Sequence, residues 1–205
     1  MIGAGGHAKV LIDTLLAQNL VPVGLLEVNS SLVGTDVLGV PVLAQEAILA
    51  QQDPTKIVLA NGVGSVNIPT LRKKIFIQLK QAGFSFLTVI HPRAYIGQEV
   101  LLGEGCQIMA GSIIQPGCKL GENIVVNTNA SVDHDGEIGD HTHLAPRVTL
   151  SGGVTVGESC HIGTGATVIQ GIEIGCHVVV AAGAVVANNI LSNMRVAGVP
   201  AKRIP

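Results

Sequence analysis

The chain has 205 residues, of which 67 are Val, Ile or Leu and 26 are Gly, but it has only three Phe, one Tyr and no Trp. That much aliphatic side chain excludes a disordered polymer, and glycine without a three-residue period excludes collagen. A formal net charge of −2 with no basic tract leaves nucleic acid without an electrostatic footprint. The longest apolar run (178–187) falls well short of the roughly 20 residues a bilayer span needs, and no charged n-region leads an apolar stretch. A cytoplasmic protein with no membrane partner is expected, its core built almost without rings.

Taken in chain order, Gly3-Ala4-Gly5-Gly6-His7-Ala8 fits G-x-G-x-x-A, and residues 10–16 continue it as an amphipathic helix. Only Met1 and Ile2 precede this turn, so the strand expected before it is a stub. Residues 22–28 read as a strand whose end carries Glu27, roughly 20 residues past the glycines, where a ribose-binding carboxylate falls. The pattern then predicts a short helix over 46–51, a strand over 56–60, a helix over 70–82 carrying Arg72, Lys73 and Lys74, and a last strand over 86–90 closed by Pro92. This βαβαβαβ order argues a small α/β domain with a parallel sheet over residues 1–92. Its length suits one phosphate-ribose unit better than a dinucleotide.

The second half is periodic. Stepping by six from Ile96 reaches an aliphatic residue sixteen times in succession, ending at Val186. Four residues after each of these stands a small or β-branched one, and Gly directly follows the aliphatic at 97, 103, 121, 139, 157, 163 and 175. A helix cannot hold this pattern, since six residues at 100° each scatter the aliphatics around its axis. Short strands with tight turns can: the aliphatic points in, Gly or Asn makes the turn, and the small residue fills the corner. Such hexapeptides stack into a parallel β-helix, a triangular prism of a little over five coils if three make one turn. Cys106, Cys118 and Cys160 fall at the inward small position and read as core residues. Cys176 falls outside it and reads as an inert surface thiol.

This stretch resembles the hexapeptide-repeat acyltransferases, whose prism is left-handed. Together with the Gly3–Ala8 motif, Ala60-Asn61-Gly62, Ile90-His91-Pro92 and the closing Gly198-Val199-Pro200-Ala201-Lys202, the chain resembles the bacterial sugar acetyltransferases of the sialic-acid O-acetyltransferase-like group. Close relatives in that group N-acetylate nucleotide-linked amino sugars. The resemblance implies a Rossmann-like nucleotide-sugar-binding domain (1–92) followed by a left-handed β-helix holding acetyl-CoA (93–205). It also implies a homotrimer with active sites between subunits.

The same resemblance distributes the roles. His134 is the general base, and Asp135, where relatives usually carry Glu, adjusts its pKa. His143, Gly152, Gly183 and Lys202 belong to the acetyl-CoA site. Gly5, Gly6, His7, Glu27, Gly62 and Asn127 belong to the nucleotide-sugar site. The chemistry agrees, because a sugar amine must lose a proton as it attacks a thioester and His titrates near neutrality. Without a well-placed Cys nucleophile, direct attack is expected rather than an acyl-enzyme. No metal is expected. The remaining histidines, His91, His141, His161 and His177, carry no motif and read as surface residues. Two alternatives stay open: O-acetylation of a sialic-acid-like hydroxyl, and a zinc carbonic anhydrase on the same prism, for which His134, His141 and His143 are the one cluster. The sequence does not choose among UDP, GDP and dTDP.

Overall fold

The computed structural model describes residues 1–205. Helix α1 (Gly6–Leu16) starts at the glycine motif and buries Ala8, Leu11, Ile12 and Leu15 on one face. Strand β1 (Leu25–Glu27) follows, then a hairpin of β2 (Asp36–Val37) and β3 (Val40–Ala44). Helix α2 (Gln45–Leu49), strand β4 (Val58–Leu59), helix α3 (Thr70–Gln81) and strand β5 (Ser85–Phe86) complete this half. β1 pairs with β3 and β4 with β5, both parallel, and Ile2 bridges in parallel to Leu26 on one side and Asn61 on the other. The stub before the glycine turn therefore lies at the middle of a layer of short parallel strands. Ile2 and Leu25 are 1% and 0% exposed, as expected for strands covered on both sides.

Two elements differ from expectation. The β2–β3 hairpin is not legible as an alternating pattern; its turn is Leu38-Gly39, both at positive φ (53° and 78°), the backbone of a two-residue type I′ loop. The strand expected over 86–90 is split. Ser85–Phe86 pairs with β4, whereas Val89–Ile90 leaves the layer and pairs with Gln107–Ile108. At the break, the Glu104 carboxylate accepts from the Phe86 N–H and from Lys80, and Thr88 Oγ1 donates to Gly103 O. The prism takes over the backbone there.

From Val89 to Val186 the strands are short, and each pairs in parallel with a strand 18 residues away. One face of the left-handed prism runs Val89, Gln107, Val125, His143, His161, Val179. A second runs Tyr95, Ile113, Ser131, Thr149, Thr167, Val185, and a third Leu101, Lys119, Glu137, Thr155, Glu173. Three hexapeptides make one coil, and the six-step aliphatics line one core of 28 buried residues, with Ile96 and Leu102 packed at its open end. Turns recur with the same period: each sixth residue from Glu99 to Gly183 has positive φ, and Asn123, Asn129, Asp135 and His141 are among the non-glycines there. At the stacked corners a side chain has no room; a Cβ on Gly103 would lie 2.5 Å from the Gly121 carbonyl carbon.

The inward cysteines are all fully buried. Each also makes the same bond, its thiol donating at 3.0 Å to the carbonyl 15 residues ahead: Cys106 to Gly121, Cys118 to Asp133, Cys160 to Gly175. Thr142 at the equivalent position donates its hydroxyl to Gly157 O at 2.9 Å. The position therefore selects a small donor, because each turn presents a carbonyl to the coil below. Cys176 is half-buried.

The chain ends by adding Arg195–Ala197 to the first face and folding Lys202–Arg203 back antiparallel on it. The rings mark the join between the halves. Phe76 and Phe86 stack 4.5 Å apart, and Phe76 meets the His141 ring of the prism at 5.5 Å. No helix is long and apolar enough to cross a membrane.

Candidate active site

The α/β layer sits on the prism face that carries Gln107, His143 and His161, and a cleft of about 1000 Å³ opens between them. Gly5, Gly6, His7, Glu27, Gly62, Asn127 and His143 all line it. The glycine turn contributes open backbone: Gly5 caps α1 without a side-chain bond, and a Cβ on Gly5 or Gly6 would touch nothing within 4 Å. The unpaired N–H groups of the first helical turn thus face the space where an anion is best held. Gly62 is required for a different reason, since a Cβ there would lie 2.7 Å from Ile2 O.

Glu27 holds the turn in shape. Its carboxylate accepts from the N–H groups of Ala4 (3.1 Å), Val28 (2.9 Å) and Asn29 (3.1 Å). His7 donates from Nε2 to Gln107 Oε1 at 2.7 Å, and Gln107 Nε2 donates to Asn61 O at 2.8 Å. Burial, reinforced by the nearby Arg72 charge, pulls the His7 pKa down to about 4, so the ring is neutral.

His143 projects outward from the prism but lies buried beneath the layer. Asn127 Oδ1 accepts from Thr128 N–H, which turns Nδ2 toward His143 Nε2 at 3.2 Å. The ring proton then sits on Nδ1, 2.8 Å from Ser65 Oγ. Burial pushes this histidine well below its ordinary pKa, and the neighbouring His161, His7 and Arg72 add to the effect. Expected beside acetyl-CoA, His143 shares the cleft with the nucleotide-side residues, which Gly152, Gly183 and Lys202 do not line.

The second grouping lies at a prism corner. His134 Nδ1 meets Asp135 Oδ2 at 2.8 Å, and both side chains are exposed. Asp135 is one of the positive-φ turn residues, with φ 57°, and Gly117 one coil away leaves room for its carboxylate. With Nδ1 committed, the free nitrogen is Nε2, which stands over Gly152 so closely that any Cβ there would collide with it. The hydrogen bond that His134 donates to the Asp135 carboxylate raises the His134 pKa, and Asp133 adds to the rise. Gly183 is an open turn at φ 68°, and Lys202 lies exposed on the last strand.

Two histidine expectations are corrected. His141 and His161 are 7% and 8% exposed, not surface residues, because the layer covers the turn that carries His141 and the face that carries His161. His161 packs edge-on to His143 with ring centroids 5.0 Å apart. Ser65, Gln107 and Arg72 escaped the sequence reading as site residues. Ser65 had a signal, the glycine-rich run Gly62-Val63-Gly64-Ser65 after a strand; Gln107 had none, because its hexapeptide position looks solvent-facing. Within one chain no three His, Cys, Asp or Glu side chains come together as metal ligands, and His134, His141 and His143 do not form such a group.

A parallel β-helix with a glycine-turn α/β layer docked on one face is an architecture this chain shares with solved acetyltransferases. The family model for bacterial transferase hexapeptide repeats matches residues 135–170, and that for the PglD N-terminal domain matches residues 1–79. The acetyltransferase domain of PglB from Neisseria gonorrhoeae is 34% identical, with a TM-score of 0.92 over 99% of this chain and 97% of that one. PerB from Caulobacter crescentus, solved with CoA and GDP-perosamine, is 36% identical, with a TM-score of 0.90 over 100% of this chain and 95% of that one. WeeI from Acinetobacter baumannii is 25% identical, with a TM-score of 0.89 over 99% and 97%. The chain belongs to the hexapeptide-repeat sugar acetyltransferases that carry a PglD N-terminal domain.

Proposed function

We propose that this protein transfers the acetyl group of acetyl-CoA to the amino group of a nucleotide-linked amino sugar, by direct attack in a ternary complex. The observation that carries this reading is the His134–Asp135 pair, with His134 Nε2 free above Gly152, in a chain alike end to end with PglB and with PerB bound to CoA and GDP-perosamine. The sugar nitrogen attacks the thioester carbon while His134 Nε2 takes its proton, and the Gly152 N–H is a candidate donor to the oxyanion. The C–S bond then breaks, and the proton on His134 passes to the leaving CoA thiolate. Asp135 stabilises the imidazolium that exists between these steps.

The α/β layer is read as a Rossmann-like module. Its strand order β3, β1, Ile2, Asn61 (next to β4), β5 reverses at Ile2, and the glycine turn leaves the sheet at that reversal, where α/β sheets place their ligands. Residues 1–92 then hold the nucleotide sugar through Gly5, Gly6, His7, Glu27 and Gly62, and Asn127 joins them from the prism side of the cleft. Residues 93–205 hold acetyl-CoA through Gly152, Gly183 and Lys202, and His143 stands where the two co-substrates meet. In one chain the cleft and the His134–Asp135 pair lie on different edges of the prism, which supports a homotrimer with its sites between copies. Both co-substrates are made in the cytoplasm, the compartment this reading assigns.

A thiol-release assay with acetyl-CoA across UDP-, GDP- and dTDP-linked amino sugars, with sialic acid alongside, tests the reading. Release with an amino sugar, lowered about 10²- to 10⁴-fold in kcat by His134→Ala with acetyl-CoA affinity unchanged, is expected. Release with sialic acid alone would replace it by O-acetylation.

A further inference from the structure

Beneath the cleft lies a charge with no partner. Arg72 on α3 is 1% exposed, and its Nη1 donates to Asn61 O at 2.8 Å and Val63 O at 2.9 Å, while Nε and Nη2 have no hydrogen-bond partner. None of the chain's ion pairs includes it. Burial pulls its pKa down to about 9, so it keeps its proton at neutral pH. The ionisable neighbour that most favours its charge is the Cys106 thiol, itself pushed up to about 11 and therefore neutral. A buried cation left uncompensated is costly, and such groups are ordinarily paired.

The two carbonyls that Arg72 holds belong to the segment forming one wall of the cleft. Gly62 N–H donates to Ile2 O beside the glycine turn, Gly64 packs against His7, and Ser65 reaches His143. Arg72 thus grips this wall from behind, and its charge reaches through it: it acts on His7 and on His143, holding both toward the neutral form. A dianionic group seated at the glycine turn would supply the missing countercharge across one layer of backbone.

We propose that Arg72 is a positioning and specificity residue for the acceptor, whose buried unpaired charge, delivered through the 61–65 wall, makes the cleft select a diphosphate-bearing ligand over its uncharged nucleoside. The inference rests on the nucleotide-sugar reading of the cleft and deepens it. Arg72 touches no ligand atom. Its contribution is a fixed field plus the placement of Gly62, Gly64 and Ser65.

Calorimetric binding of UDP, GDP and dTDP, each beside its free nucleoside, separates the two ideas. If the unaltered protein binds none of the diphosphates, the function reading fails, and this inference with it. Where one binds, Arg72→Met weakens that diphosphate at least about tenfold and leaves the nucleoside and acetyl-CoA within about twofold. Arg72→Lys, which keeps the charge, restores diphosphate affinity to within about threefold of the original. Equal loss of nucleoside and diphosphate in Arg72→Met would reduce Arg72 to a structural prop, and unchanged diphosphate binding would overturn the inference outright. Should Arg72→Met fail to fold, Arg72→Lys decides: retained diphosphate affinity supports the charge role, and a tenfold loss refutes it.

Discussion

The prism and the α/β layer solve the same problem, covering short parallel strands, with opposite kinds of information. Through the prism's repeating coils each strand's partner is 18 residues away, so every inward side chain there is placed by local periodicity. In the layer, Ile2 pairs with Leu26 and Asn61, and its strands find partners at irregular separations across helices. A repeat can therefore be read by counting, while the layer depends on which surfaces meet. The site lies where those two regimes touch.

Glycine is where that difference is easiest to break. Gly103→Ala puts a Cβ 2.5 Å from the backbone of the next coil, which no side-chain movement relieves, and a loss of about 3 kcal/mol is expected. Gly34→Ala, in the layer at φ 86° with nothing within 4 Å, should cost only about 1 kcal/mol, from backbone strain. Denaturant titration of both variants measures the contrast.

Acid should act next, at the junction. His7 is held at about 4, and His143 and His161 are also lowered by burial. The folded protein protonates them less readily than the unfolded chain, which takes up protons below about 6.5. Stability is therefore fully present above about pH 6.5 and declines as pH falls, with the His7 contribution used up near 4. A melting temperature followed from pH 7 to 4 should fall over this window, and His7→Gln should flatten the slope.

A smaller effect is expected at the corner pair. Asp135→Asn removes the group that raises His134, so the acidic limb of the pH–rate profile moves to lower pH. The plateau falls about tenfold, equivalent to ~1.4 kcal/mol, from lost ring orientation. The smallest change is Cys118→Ser, since Thr142 shows that a hydroxyl makes the same bond. A shift in Tm of no more than roughly 2–4 °C is expected, corresponding to about 1 kcal/mol.

The sequence made the prism legible down to its inward cysteines; the glycine turn, Glu27, Gly62 and Asn127, assigned to one site, line one cleft, and His143, expected on the acetyl-CoA side, lines it with them. It did not make the hairpin visible, because a turn at Leu38-Gly39 rests on one glycine. It also missed Gln107 and the burial of His141 and His161, for one reason. On a hexapeptide all outward positions look alike, and only the docking of the layer, through His7 and Asn61 on Gln107 and through Phe76 and Lys73 of α3, decides which face loses its water. Arg72 was visible as a charge on a helix; that it faces inward, gripping Asn61 and Val63, is a property of the assembled layer.

The constant 18-residue coil turns the prism into a ruler graduated in strand spacings. His134 and Gly152 stand one graduation apart, and His143 and His161 likewise. Adding or removing one whole coil would translate everything beyond it by roughly 4.8 Å without changing the face on which any residue lies. Reach between a donor bound along the prism and an acceptor held by the layer is thus adjustable in fixed increments, leaving the chemistry at each end intact.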